Sequence, residues 1–191
     1  MEVVEHQSDP PSPWGGYRRC LDNLPESGHL VIVQDDVVPA PNFAEALGHI
    51  AAANPDIPVC LFLARLPREA SVKAGHAMKQ RRRYIDLSWR SFLPVVAVLW
   101  PVHKALEFRD WADTNPRFPG VGGGQPRSDD AMGGRWKMVT RQTVRATVPS
   151  IVQHPDEEPS LIGRRAMWGK DAGRVAFLLA EDAMDYDWSV V

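Results

Sequence analysis

Three continuous apolar runs constrain this chain more than any other feature: "LVIV" (residues 30–33), "PVCLFL" (58–63) and "VVAVLW" (95–100). A run without polar alternation marks a strand covered on both faces, as in a sheet flanked by helices. Helical spacing occurs between and around these runs. In "YRRCLDNL", Tyr17, Leu21 and Leu24 fall at i, i+4 and i+7, and Gly28 is expected to end that helix. Asn42 and Glu45 have the spacing of an N-cap and its partner three residues on, with Phe43, Leu47 and Ile50 on one face behind them.

A further helix is expected after Pro101, with Leu106 and Trp111 turned inward, and another at "AMGGRWKMV". "EVVEH" at residues 2–6 reads as a short strand, and "VRATVPSIVQH" as extended chain ending in His154. The alternation predicts an α/β domain with a mixed, mostly parallel central sheet, spanning residues 1–191 as one unit. In such sheets, ligands collect at the carboxyl ends of the strands.

Composition narrows the function classes. Hydrophobic residues at 44% and charged residues at 24% fit a globular chain. The 22 basic and 24 acidic residues leave a net charge of −2, so the chain has no global footprint for nucleic acid. No apolar run reaches the roughly 20 residues of a membrane span, and "MEVVEHQSDP" carries no signal-peptide core, so a cytoplasmic protein is expected. The two cysteines, Cys20 and Cys60, sit in apolar segments and read as reduced core residues.

Chemistry concentrates where the first apolar run ends. "HLVIVQDDVVPAPNF" drives a strand into two adjacent carboxylates, Asp35 and Asp36. Adjacent carboxylates repel and have little β-propensity, so they either form a turn or share a cation. Mg²⁺ and Mn²⁺ take oxygen ligands, and one or two protein carboxylates commonly share such an ion with substrate phosphates. "RSDDAMGGRW" supplies a second acidic pair, Asp129 and Asp130, and "PSIVQHPDEEPSLIG" supplies His154. Taken singly, the second pair could merely cap a helix.

In this order, "PWGGYRRCL", "HLVIVQDDVVPAPNF", "VVAVLWP", "SDDAMGGRW" and "PSIVQHPDEEPSLIG" resemble the GT-A glycosyltransferases, in particular small members found in bacteriophage and bacterial genomes. The resemblance runs from about Trp14 to Gly163. It implies a three-layer nucleotide-diphospho-sugar transferase fold, Mn²⁺ or Mg²⁺ as cofactor, and transfer of a sugar to a glycan, protein or DNA hydroxyl. By the same resemblance, Asp36 and His154 hold the metal. Asp35, Gln34 and Arg19 meet the donor, and Asp130 or Asp129 is the acid facing the acceptor.

Two departures accompany it. Gln34 stands where a strict DxD motif begins with Asp, and the chain is expected to lack the family's usual first strand. Two other readings use the same residues: a catalytically inactive binding protein of this fold, and a metal-dependent phosphoesterase or nuclease.

Several signals carry less. "GVGGGQ" lacks the spacing of a dinucleotide or P-loop motif and reads as a mobile loop or a linker. "KQRRRY" could meet phosphates but reads better as a solvated loop. Trp14, Trp89, Trp111 and Trp136 could stack on sugar rings or belong to the core.

Overall fold

A computed structural model describes residues 13–22, 24–64, 68–88, 95–115, 129–154 and 175–191. The strand expected at 2–6, Trp89, the "GVGGGQ" loop and residues 155–174 lie outside the described residues.

The chain is α/β. Helix α1 (Pro13–Cys20) precedes strand β1 (His29–Val33), then the two-residue β2 (Val38–Pro39) and helix α2 (Phe43–Ala53). Next come β3 (Val59–Cys60), α3 (Arg68–Lys79), β4 (Tyr84–Asp86), β5 (Ala97–Pro101) and α4 (Val102–Thr114). Then follow α5 (Asp129–Thr140), β6 (Arg145–Thr147) and β7 (Val152–Gln153). Five strands form one sheet in the order β1-β5-β3-β6-β4, and β2 pairs with β7 in a second, two-stranded sheet.

The expected parallel centre is corrected. β5 runs antiparallel to both β1 and β3, β4 runs antiparallel to β6, and among the described strands of this sheet only β3 with β6 is parallel. A continuous apolar run reports cover on both faces and says nothing of strand direction, which is why the sequence misled. That cover is present. Ile32, Cys60, Val98, Trp100 and Ala146 face one core with residues of α1, α3, α4 and α5. Val59, Leu61, Ala97 and Leu99 face the other, built with α2 and the C-terminal segment around Ala183 and Trp188.

Local details differ from expectation for physical reasons. α1 ends at Cys20 rather than at Gly28. Gly28 instead takes φ +92 in the turn before β1, where its carbonyl accepts the Val102 N–H at 3.0 Å. Asn42 precedes α2 as expected, but its left-handed backbone (φ 57) points the side chain away from the helix. It makes no cap and donates to Asp182 Oδ2 at 2.7 Å. In α4 the buried face is Val102, Ala105, Phe108 and Ala112, one step round from the expected Leu106 and Trp111. Trp14 and Trp136 are buried in the first core and Trp111 packs partly against it, so none of the three is a free platform for a sugar ring. Cys20 and Cys60 are free thiols.

The first core carries one ionisable surprise. Lys137 on α5 has no exposed surface. Burial pulls its ammonium down to about 8, opposed by the nearby Cys60, while burial lifts the Cys60 thiol to about 12. Between about pH 8 and the ordinary lysine value of 10.5, the unfolded chain binds more protons at this site than the folded one. Stability at Lys137 therefore rises with pH from about 8. Above about pH 9 the buried thiol, which holds its proton longer in the folded state, acts in the opposite sense. Urea unfolding should show Lys137→Met more stable than the wild type at pH 7, by up to roughly 3 kcal/mol. The difference should shrink by pH 9.

Candidate functional site

The end of β1 organises the site. The β1–β5 ladder continues one residue past Val33, because the Gln34 N–H donates to the Val96 carbonyl at 2.9 Å. Asp35 and Asp36 then form a turn, so the inexpensive explanation of the acidic pair holds for the backbone. Asp35 is exposed; Asp36 is half-buried.

The turn leads into β2, whose Val38 pairs with Gln153 and Pro39 with Val152. In that register the next residues along are Val37 and His154, which brings His154 beside Asp36. His154 Nε2 lies 3.0 Å from Asp36 Oδ2, although 118 positions separate them in the numbering. The imidazole is nearly buried, with 8% of its side chain exposed, against 37% for Asp36.

Two ligands at about 2.1 Å from an octahedral ion and at right angles to each other lie about 3.0 Å apart. The pair therefore suits two adjacent positions on a small divalent ion, leaving the others for phosphate oxygens and water. The same separation is also that of an imidazole–carboxylate hydrogen bond. Among the described residues, no group of three or more His, Cys, Asp or Glu side chains could hold a metal. A site here draws at most this pair from those residues.

A second contact joins the same strand end to α5. Gln34 Nε2 donates to Asp129 Oδ2 at 3.2 Å, and Asp129 Oδ1 accepts the Asp130 N–H at 2.9 Å. Asp129 is buried, with 8% of its surface exposed. Its carboxyl is pushed above the usual carboxylate range, first by burial and then by the like charge of Asp130. The Asp130 N–H and the Gln34 amide pull the other way. A helix N-terminus favours carboxylates by about 0.3–1 kcal/mol when exposed. Here desolvation outweighs that effect. Asp130 is half-buried and its Oδ1 accepts the N–H of the next residue, Ala131, at 2.6 Å.

Behind Asp129 lies an aromatic floor. Tyr17 of α1 is buried and its hydroxyl accepts the Trp100 Nε1–H at 2.8 Å. Burial, with the Asp129 charge in a lesser role, raises the Tyr17 hydroxyl well above its ordinary value. Trp100 stacks on Phe108 with centroids 5.3 Å apart and meets Trp136 of α5 at 5.5 Å. These rings seat α4 and α5 on the sheet and so fix where α5 begins.

The structure thus brings Gln34 to Asp129 and Asp36 to His154, with Asp35 exposed between the two contacts. Arg19 is exposed on α1, whose neighbour Arg18 pairs with Asp22 and, at 2.7 Å, with Asp113 of α4. The Gln34–Asp129 contact was missed from the sequence, where Gln34 was assigned to the donor. Half of its signal was present. Asp129, Met132, Gly133, Trp136 and Lys137 fall at i, i+3, i+4, i+7 and i+8, and all five are buried. That stripe puts Asp129 inward and Asp130 off the buried face. No family model, no curated protein and no solved structure matches this chain.

Proposed function

We propose that this chain is a metal-dependent glycosyltransferase that moves a sugar from a nucleotide-diphosphate donor to an acceptor hydroxyl. The observation that carries the reading is the 3.0 Å approach of His154 Nε2 to Asp36 Oδ2 at the carboxyl end of β1. The GT-A resemblance asks for that meeting across the sequence, and a chance turn does not. The fit of the pair to neighbouring positions on an octahedral ion supports it, as does the exposed Asp35 beside it.

Asp36 and His154 would hold Mn²⁺ or Mg²⁺. Once bound, the ion supplies a Lewis acid for charge growing on the leaving diphosphate. Asp35, exposed on the same turn, would contact the ion or the donor's ribose. For a reaction that inverts the anomeric carbon, an acid at the start of α5 takes the proton of the attacking hydroxyl.

Geometry favours Asp129 over Asp130 for that role. Burial raises the affinity of Asp129 for a proton, the direction a general base needs, and two contacts fix its carboxyl. Asp130 is half-buried and lies off the buried stripe of α5. Thermal-shift screening of nucleotide-diphosphate sugars, with and without Mn²⁺, tests the reading. Stabilisation by a donor only when the ion is present supports it. A folded protein that no nucleotide sugar stabilises under either condition contradicts it and favours the inactive binding protein.

A further inference from the structure

We propose that Gln34 is a positioning residue, holding the Asp129 carboxyl against the same strand end that carries Asp35 and Asp36. The inference rests on the reading of Asp129 as the acceptor-side acid, and it changes the role of Gln34 from donor ligand to support of that acid. Three contacts carry it. The Gln34 main chain is anchored to β5 by its N–H to the Val96 carbonyl at 2.9 Å. Its side-chain Nε2 reaches Asp129 Oδ2 at 3.2 Å. The other carboxyl oxygen is held by the Asp130 N–H at 2.9 Å, so the group is clamped between a strand end and a helix start.

The chemistry of the side chain explains why glutamine stands here. An amide donates without ionising, so its hold on Asp129 persists across the pH range. An aspartate would be one methylene shorter and would set a second negative charge beside a buried carboxyl already opposed by Asp130. The departure from a strict DxD motif therefore has a positive role. Because Gln34 directly precedes Asp35, whatever seats the turn on donor and ion also seats the acid.

The test is a ¹³C NMR titration of the Asp129 carboxyl in wild type, Gln34→Leu and Gln34→Glu, with steady-state kinetics on the same proteins. Gln34 favours the ionised form of Asp129, so Gln34→Leu should raise the titration midpoint. Gln34→Glu should raise it further, because two carboxyls then face each other. In Gln34→Leu, kcat should fall by about tenfold while the donor KM stays within about twofold.

An unchanged midpoint in both variants overturns the proposal. So does a raised donor KM at unchanged kcat, which would make Gln34 a donor ligand. If the wild type transfers no sugar, the glycosyltransferase reading fails, while the titration still decides whether Gln34 sets Asp129.

Discussion

Asp129→Asn is expected to lower turnover by about 10²–10⁴-fold, the usual worth of general-base catalysis, while leaving donor and metal binding intact. The substitution keeps the size of the side chain and removes the ionisable group, at the cost of one of the two hydrogen bonds accepted from the Gln34 amide and the Asp130 N–H. The same change should stabilise the fold. Asp129 binds its proton more tightly folded than unfolded. Its contribution to stability is therefore fully present below the ordinary carboxylate value and is lost as pH rises through the raised one. Above the raised value the wild type carries the cost of a buried charge that asparagine does not. Asp129→Asn should melt higher by about 1 kcal/mol, or roughly 2–4 °C in Tm for a chain of this size.

Asp130→Asn should behave differently, with near-wild-type turnover and a stability change of a fraction of a kcal/mol, because asparagine also serves well at a helix start. Full activity in Asp129→Asn with lost activity in Asp130→Asn would return the proton to Asp130.

Trp100→Ala should be the most damaging single change to the fold, costing about 3–5 kcal/mol in urea unfolding. Trp100 is fully buried, lies on Phe108 with an interplanar angle of 3°, and touches Trp136. Its removal leaves a cavity between sheet, α4 and α5, and takes the indole N–H from the buried Tyr17 hydroxyl. Trp100→Phe keeps an aromatic ring against Phe108 and loses mainly volume and that hydrogen bond, so it should cost clearly less. Equal losses in the two variants would mean that the ring stack contributes little.

The sequence exposed the sheet better than its topology. "LVIV" and "VVAVLW" became β1 and β5 with ends within two residues, because a run with no polar side chain must be covered. "PVCLFL" became the two-residue β3, Val59 and Cys60, with the Leu61 N–H still donating to the Ala97 carbonyl at 2.9 Å. Strand direction stayed hidden, since antiparallel strands between two cores look the same as parallel ones in sequence. The meeting of Asp36 with His154 depended on a two-residue ladder through Val38 and Pro39, a pairing too short for periodicity to reveal. Which of Asp129 and Asp130 is buried was readable, because the α5 stripe runs through the first of them. Lys137 belongs to the same stripe, and a lysine there argues against burial until the packing is seen. The Gln34 contact was not readable, because nothing local in "VQDD" marks a partner on a distant helix.

The most direct measurement is donor binding by titration calorimetry in the presence and absence of Mn²⁺, on wild type, Asp36→Asn and His154→Ala. The donor is the nucleotide-diphosphate sugar found by thermal-shift screening. If Asp36 and His154 hold the ion that grips the diphosphate, wild-type affinity should depend on Mn²⁺ and fall by about 10–100-fold in each variant. The Mn²⁺ dependence should disappear with it. Binding that is equally tight without the ion, or unchanged in both variants, would reduce the 3.0 Å contact to a structural hydrogen bond and contradict the metal-dependent mechanism.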